Sequence, residues 1–434
     1  SASASASSSS SASKLETVRD FIHDSLYNRA VGYFERNVNI LKPSPGKDIK
    51  FSELKDQQDY VSTVRRLYQQ RIEELSADKV SRDLYQLWHT PSTIFRPYYG
   101  RGIGKCILSR WDGSSPLVVY EVGPGNGSLC EDILGYFQDQ IPEHMDSIEY
   151  NFIEISKFQA ENILAGVQSN FPSTIRIHNM SFLDWQIVEK RKSFVIAMEV
   201  FDNLAHDVVR LTEQSSDGGS VLVEQGMVAS SDRSSIRAAP GIDQSQTLKK
   251  EKKYEEVFVP LEDSLMIDLI STMDAAGHKW YSQKGKNKLW DIALNLWPFN
   301  YFQTSADKEF IPSGSFMFMK TLVKFFPRHC FIMSDFDYLP PTVSAYNGPV
   351  VQTRYKGKTV GSSTYLLQKG LCDIFFSTDF YLLEGVYKRL YAKELDVEVL
   401  KHREFCEEYT EHSVMKTSSG YNPILDDFSN VSFL

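Results

Sequence analysis

The stretch Val118-Val119-Tyr120-Glu121-Val122-Gly123-Pro124-Gly125-Asn126-Gly127-Ser128-Leu129 decides the fold of this 434-residue chain. An apolar run ends at an acidic residue and turns through three glycines into a segment with helical spacing. Glycine adopts positive φ and lets the backbone approach a ligand, while a helix N-terminus offers unpaired N–H groups to an anion. The stretch therefore predicts a buried strand, an anion-binding turn and a helix.

Strand-like and helix-like segments alternate outward from this turn. Strands are predicted at residues 117–122, 147–155, 175–179, 193–198, 330–334 and 371–377, and helices at 128–139 and 157–168. This order is typical of an α/β fold with a parallel, doubly wound sheet. Apolar spacing predicts an α-helical N-terminal region from residue 15 to about 85 and a helix at 100–109. Two β-like runs, 220–228 and 254–261, predict a hairpin around a mobile, Lys-rich loop.

The predicted organisation follows from these patterns. The segments are a disordered start at 1–14, a helical region at 15–110, a cofactor-binding core at 111–210, an insertion at 211–325 with a mobile loop at 230–253, and the rest of the sheet with a tail at 326–434. The start is rich in Ser and Ala and poor in acids, which is typical of a transit-peptide remnant or of a linker.

The glycine spacing separates two classes of cofactor site. The dinucleotide pattern G-x-G-x-x-G would need glycine at position 128, where this chain has Ser128. The observed G-x-G-x-G spacing favours S-adenosylmethionine (SAM), whose carboxylate the helix N-terminus would hold. The predicted cofactor-binding residues of the turn are Glu121, Gly123, Gly125 and Gly127. A purely structural strand-to-helix turn is the alternative.

Two further acids follow predicted strands. Glu154 ends the second strand, where a carboxylate accepts hydrogen bonds from ribose hydroxyls in doubly wound nucleotide sites; the alternative is an exposed glutamate. Asp184 follows the third strand beside Trp185 and would bind an adenine amino group. A helix-capping aspartate beside a core tryptophan explains Asp184 equally well.

The fourth strand runs into two acids, Glu199 and Asp202, at the edge of the sheet where ligands of open α/β sheets bind. Two carboxylates there can hold a guanidinium group and accept its proton during methyl transfer. We therefore predict that Glu199 and Asp202 are catalytic. The alternative is a capping aspartate and a loop glutamate.

Over residues 90–387 these motifs resemble the MidA-type methyltransferases. The motifs that carry the resemblance are Glu121-Val-Gly-Pro-Gly-Asn-Gly, Glu154-Ile-Ser, Glu199-Val-Phe-Asp202-Asn-Leu, Ile311-Pro-Ser-Gly, Ser334-Asp-Phe-Asp and Gly370-Leu-Cys-Asp-Ile. This chain departs from the family pattern at Gln86 to Phe95, which lack the glycine and acid of a Gly-Asp-Phe segment. It also has Asn126 where arginine is usual, and Ala205-His206 where a Leu-Pro ending is usual.

The resemblance implies a class I SAM-methyltransferase (Rossmann-like) fold with SAM as cofactor. Because the family includes the mitochondrial protein arginine methyltransferase needed for complex I assembly, it also implies arginine methylation of a mitochondrial protein, such as a respiratory-chain subunit, in the matrix. The alternatives are an inactive SAM-binding assembly factor, an RNA or small-molecule methyltransferase and, more distantly, an NAD-dependent dehydrogenase.

Composition excludes several other classes. A net charge of −9 argues against a broad nucleic-acid surface, because that binding depends on Lys and Arg replacing counterions. No apolar run approaches the length of about 18 residues that indicates a membrane span. Five cysteines without a C-x-x-C pair suggest neither a metal site nor disulfides, and favour a reducing compartment.

Overall fold

The structure of the protein is a computed structural model. It describes residues 14–36, 49–75, 90–167, 171, 174–213, 221–232, 252–278, 308–355, 358–391 and 395–434. Three predictions fall mainly on other residues: the disordered start at 1–14, the loop at 230–253 and the first part of the departure at Gln86 to Phe95.

The described residues form the following helices and strands. The helices are α1 Val18–Tyr27, α2 Tyr33–Arg36, α3 Gln57–Leu75, α4 Pro91–Ile94, α5 Tyr98–Arg110, α6 Ser128–Gln140, α7 Lys157–Val167, α8 Ser264–Ala275, α9 Ser313–Phe325, α10 Phe380–Tyr391, α11 His402–Tyr409 and α12 Pro423–Asp426. The strands are β1 Lys14–Thr17, β2 Val118–Val122, β3 Glu149–Ile153, β4 Ile175–His178, β5 Ser193–Met198, β6 Asp207–Glu213, β7 Val221–Asp232, β8 Lys252–Pro260, β9 Lys308–Ile311, β10 His329–Phe336, β11 Val350–Tyr355, β12 Lys358–Gly361, β13 Asp373–Phe375, β14 Leu400–Lys401 and β15 Val431–Phe433.

The central sheet is mixed and confirms the predicted α/β class. Its seven strands lie in the order β14-β15-β10-β5-β2-β3-β4. Strands β10, β5, β2, β3 and β4 run parallel, whereas β15 is antiparallel to β10 and β14 is antiparallel to β15. The prediction of a purely parallel sheet is therefore wrong at this edge, because the C-terminal tail returns and adds two antiparallel strands.

Helices cover both faces of this sheet because the side chains of each strand alternate. Val119 of β2 packs into a core with Ile133 and Phe137 of α6. Its neighbour Val118 faces an opposite core that contains Phe318 and Leu322 of α9. Burying one such side chain stabilises the fold by roughly 1.5 to 3 kcal/mol. The sheet is thus the middle layer of three, and its strand ends meet at one exposed edge.

A second, antiparallel sheet carries the insertion. Its order is β1-β7-β6-β9, with β8 on β7. Strands β7 and β8 pair from Glu224–Pro260 to Asp232–Lys252, as predicted for a hairpin. The prediction that residue 15 begins a helical region is wrong, because residues 14–17 form β1 and pair with β7. Helix α1 begins only at Val18, where the Thr17 side chain caps it.

The last predicted strand lies outside the central sheet, which corrects its assignment there. Residues 373–375 form β13, which pairs antiparallel with β11 in a small sheet of order β12-β11-β13. This sheet is tied to the core where the Phe376 N–H donates to the Asp202 carbonyl at 2.8 Å.

None of the helices that the structure describes combines the length and the hydropathy of a membrane-spanning segment.

Candidate active site

A cavity of about 350 Å³ opens at the carboxyl ends of β2, β3 and β5. Its walls include the turn residues Gly123 and Gly125, Glu154 after β3 and Glu199 after β5. Its apolar lining includes Val122, Ile153, Met180, Phe182, Leu183 and Phe318. Small-ligand sites have roughly this size and combine apolar walls with a few polar groups, and in open α/β sheets they lie at this edge. The cavity is therefore the candidate ligand site.

The Gly-rich turn joins β2 to α6 with three left-handed glycines. Gly123, Gly125 and Gly127 have φ angles of 65°, 57° and 75°. Gly123 and Gly125 line the cavity, whereas Gly127 is not among the lining residues. A Cβ atom on Gly127 would lie 2.7 Å from the Val167 side chain of α7. Two of the predicted glycines thus shape the ligand wall, and the third allows α7 to pack closely.

Glu154 is a buried carboxyl group in the cavity wall. Its Oε1 accepts a hydrogen bond from the Ser156 N–H at 2.7 Å, and Asn179 donates to its carbonyl at 2.9 Å. Burial raises the pKa of Glu154 to about 7, partly offset by the bond from Ser156. A ligand hydroxyl that donates to this carboxyl would compensate its loss of water. Glu154 lies in the cavity wall, and its contact with a ribose stays a prediction.

Asp184 also lines the cavity, and its side chain is exposed. It ends a short 3₁₀ helix that is capped by Ser181, whose Oγ accepts from the Leu183 N–H at 3.2 Å. Asp184 is therefore not the helix cap. Trp185 is buried and donates from Nε1 to the Ile187 carbonyl at 2.6 Å, so the tryptophan belongs to the core.

Glu121 has a different position from the other predicted cofactor residues. It is 3% exposed and is not among the residues that line the cavity. Tyr150 donates from its hydroxyl group to Glu121 Oε2 at 2.7 Å. Burial raises the pKa of Glu121 to about 8, although the bond from Tyr150 opposes the increase. The turn therefore begins at a carboxyl group held inside the core.

Glu199 is a strained, half-buried residue in the cavity wall. Its φ angle is 54°, and Asn347 is the other described non-glycine residue with positive φ. Its N–H donates to the Ser334 carbonyl of β10 at 2.8 Å. Burial, together with the nearby Asp335 carboxylate, raises the pKa of Glu199 well above its usual range. Strained backbone at non-glycine residues concentrates at functional sites.

Asp202 lies close to two further acids, Asp335 and Asp373, for which the sequence analysis predicted no role. It is 7% exposed and is not a lining residue. Asp335 of β10 accepts from the Phe201 and Asp202 N–H groups at 2.8 and 3.1 Å. Asp373 of β13 accepts from Asn203 Nδ2 at 3.1 Å. Glu199, Asp202, Asp335 and Asp373 are named here the carboxyl cluster.

The carboxyl cluster retains unsatisfied acceptors. Among the described residues, none donates a hydrogen bond to Asp202 Oδ1 or Asp373 Oδ2, although both atoms are buried. Burial raises the pKa of Asp335 and of Asp373 to about 7, and burial with the Asp335 charge raises that of Asp202. Buried carboxylates without partners favour the approach of a cation. In the sequence, Asp335 and Asp373 stand out only as the acids of the motifs Ser334-Asp-Phe-Asp and Gly370-Leu-Cys-Asp-Ile.

The N-terminal helices supply further lining residues that sequence reasoning missed. Arg19, His23 and Tyr27 of α1 and Phe34 of α2 border the cavity. The rings of Tyr27 and Phe34 are stacked, with centroids 5.3 Å apart, and the Tyr27 hydroxyl donates to the Asn203 carbonyl at 3.3 Å. In the sequence these residues look like one side of an ordinary amphipathic helix, so no local signal marks them.

Comparisons with known proteins agree with this architecture. A family described as "Putative S-adenosyl-L-methionine-dependent methyltransferase" matches residues 102–398. The chain therefore belongs to this family of SAM-dependent methyltransferases, and its cofactor is SAM.

Individual relatives are distant. The mitochondrial protein arginine methyltransferase NDUFAF7 homolog of Schizosaccharomyces pombe is 21% identical over 279 residues, which are 62% of this chain and 55% of that protein. The chain thus spans little more than half the length of this relative. A crystal structure of a Burkholderia thailandensis protein with bound S-adenosylhomocysteine has a TM-score of 0.53 and 12% identity, covering 96% of this chain and 87% of that one. A second structure of a protein from that organism has a TM-score of 0.52 and 11% identity, covering 96% and 86%. These two structures support the fold.

The cavity residues fit SAM by their own chemistry. Gly123 and Gly125 bring backbone to the cavity in conformations that side chains disfavour, next to the N-terminus of α6. Glu154 offers a buried carboxyl group to hydroxyls, and Asp184 offers an exposed one. The described residues contain no group of three or more His, Cys, Asp or Glu arranged to hold a metal ion.

Proposed function

We propose that this protein transfers the methyl group of SAM to an arginine side chain of a mitochondrial protein. The observation that carries the proposal is the carboxyl cluster beside the cofactor cavity. Glu199 lines the cavity, and the buried carboxyl group of Asp202 interacts electrostatically with Glu199, Asp335 and Asp373. An acceptor for such a site is cationic, and the planar guanidinium group matches carboxylates in a bidentate geometry that an ammonium group lacks.

The raised pKa values give the cluster a chemical role. A carboxyl group with a raised pKa is a stronger base than an exposed one, and a guanidinium beside it favours its ionised form. When bound, SAM would supply a methyl group activated for attack by a nucleophile, and it would leave as S-adenosylhomocysteine with the electron pair of the broken sulfur–methyl bond. The guanidinium nitrogen loses a proton as its bond to the methyl carbon forms, and the carboxylate of Glu199 accepts that proton. Asp202, Asp335 and Asp373 hold the remaining positive charge.

The predicted catalytic pair is kept in this proposal with different tasks. Glu199 contacts the acceptor, whereas Asp202 acts from behind it through its charge. The mitochondrial location is supported by the name of the Schizosaccharomyces pombe relative. We assign the protein to the matrix, with a respiratory-chain subunit as acceptor.

The test compares Glu199→Gln with wild type. The amide keeps the size of the side chain but loses its charge and basicity, so methylation should fall by roughly 10²- to 10⁴-fold. SAM affinity should stay the same, because Glu154 and the glycines are untouched. Methylation is measured with radiolabelled SAM on mitochondrial extract protein, and mass spectrometry identifies the modified residue. Glu143→Gln, at an exposed glutamate away from the cavity, is the control.

Four outcomes would contradict the proposal. An active Glu199→Gln enzyme would rule out Glu199 as the base. Methylation of lysine instead of arginine would rule out arginine as the acceptor. A wild type that binds SAM but methylates no protein would favour the inactive assembly factor. Fractionation that finds the untagged protein outside mitochondria would rule out the mitochondrial location.

A further inference from the structure

The N-terminal segment, β1 with α1, forms one wall of the cofactor cavity. Arg19, Asp20, His23 and Tyr27 of α1 line the cavity opposite the strand ends. Strand β1 pairs with β7, which belongs to the antiparallel sheet and not to the central one. The position of this wall therefore depends on contacts between distant parts of the chain.

Arg19 makes several of the polar contacts that hold that wall. Its Nη1 lies 2.8 Å from Asp207 Oδ2, and its Nη2 lies 2.5 Å from Asp263 Oδ2. Its backbone N–H also donates to Asp207 Oδ1 at 3.2 Å. Both the side chain and the main chain of one residue are thus held by the same carboxylate, so the first turn of α1 is fixed in position and in rotation.

The two carboxylates are themselves well fixed. Asp207 is the first residue of β6 and is fully buried, and Ser313 donates to its Oδ2 at 2.6 Å. Asp263 caps α8 by accepting from the Met266 N–H at 2.9 Å. Burial raises the pKa of Asp207, although the charge of Arg19 opposes the increase. Without Arg19, Asp207 would be a buried carboxyl group without a cationic partner.

Apolar packing alone does not define the cavity side of α1. Phe21, Ile22 and Leu26 are fully buried and hold the helix on the sheet. Apolar contacts are non-directional, so they tolerate small rotations and shifts of a helix. The hydrogen-bonded ion pairs of Arg19 with two separate carboxylates are directional and limit that freedom.

We propose that Arg19, held by Asp207 and Asp263, is a positioning residue for SAM binding. The Arg19 network fixes α1 as the cavity wall, and SAM in turn stabilises that arrangement. The inference rests on cofactor binding alone and is independent of the acceptor. When only a fraction of the protein has the binding-competent arrangement, the apparent dissociation constant increases by the inverse of that fraction.

The test uses Asp263→Asn, because Asp263 does not line the cavity. Asparagine retains the helix cap but not the charge that holds Arg19. We expect SAM affinity, measured by calorimetry, to fall about threefold in Asp263→Asn and about tenfold in Arg19→Met. The matched control is Arg210→Met on β6, which loses the ion pair with Glu224 at 2.6 Å but leaves α1 untouched. The control should bind SAM like wild type.

Two further measurements separate positioning from misfolding and from direct contact. Hydrogen exchange of the α1 amides should slow when SAM binds wild type, and should be faster in Asp263→Asn than in wild type without SAM. The double variant Arg19→Met/Asp207→Asn removes both members of the buried pair, so it should melt higher than Arg19→Met yet still bind SAM weakly. Wild-type affinity in Asp263→Asn, or in the double variant, would overturn the proposal, as would α1 exchange that SAM does not change.

Discussion

Replacing Glu121 by glutamine should make the stability of the folded protein less dependent on pH between pH 5 and pH 8. The carboxyl group of Glu121 is 3% exposed, and burial raises its pKa from 4.5 to about 8. The folded protein therefore keeps a proton that the unfolded chain releases near pH 4.5. Because the folded state binds more protons over this interval, stability is lost as the pH rises from about 4.5 to about 8.

The size of the effect follows from the two pKa values. Between pH 5 and pH 8 the glutamate should lower the free energy of unfolding by roughly 3 to 4 kcal/mol, a contribution that glutamine lacks. Glutamine retains an acceptor for the Tyr150 hydroxyl, which lies 2.7 Å from Glu121 Oε2. Its extra amide proton costs up to about 1 to 3 kcal/mol if it finds no acceptor, at either pH. The pH dependence is therefore the more reliable measurement.

The assay is thermal unfolding of wild type and Glu121→Gln at pH 5 and pH 8. The difference between their melting temperatures should change by roughly 4 °C in favour of the variant at the higher pH. The control is Glu143→Gln, which makes the same substitution at an exposed glutamate and therefore shows its effect without burial. Parallel pH dependences of wild type and Glu121→Gln would refute the reasoning. Calorimetry on the same variant decides whether Glu121 acts on the cofactor: its position outside the cavity lining leads us to expect wild-type SAM affinity.

Further predictions concern the cavity and the carboxyl cluster. Glu154→Ala should weaken SAM binding by about 1.5 to 3 kcal/mol, the contribution of hydrogen bonds to a charged group, and equal affinity by calorimetry would contradict the ribose assignment. Asp373→Asn should slow methylation about tenfold or more with unchanged SAM affinity, because a buried charge near the acceptor is lost. Methylation by wild type should increase from pH 6 to pH 8, since Asp335 and Asp373, with pKa values raised to about 7 by burial, ionise over that interval. A rate that is flat over this range would contradict their role.

The sequence was sufficient to predict the centre of the fold. Residues 193–198 were predicted as a strand and form β5, and the predicted strand at 117–122 differs from β2 by one residue. Continuous apolar runs bounded by turns identify buried parallel strands, because both faces of such strands are covered. The carboxyl ends of neighbouring parallel strands then meet at one edge, which is why Glu154 and Glu199 could be assigned to one cavity.

The parts that local patterns could not predict depend on long-range pairing. Residues 15–17 were predicted as the start of a helical region, and only their partner strand β7 makes them part of a strand. Asp373 belongs to a separate small sheet and reaches the cluster through Asn203 and through the hydrogen bond between Phe376 and Asp202. No spacing along the chain reports such contacts, so only the structure shows that Asp335 and Asp373 lie beside Asp202.

The pairing of β1 with β7 has a consequence for how the protein is made. Thr17 pairs with Met227, 210 positions later in the chain (227 − 17). The ion pair of Arg19 needs Asp263, which is synthesised later still. A ribosome therefore finishes the glycine turn long before the partners of the cofactor wall emerge from the exit tunnel. Contacts so distant in sequence form slowly, because a long loop must close first. The newly made chain thus has its Gly-rich turn for a period before the α1 wall of the cavity is in place.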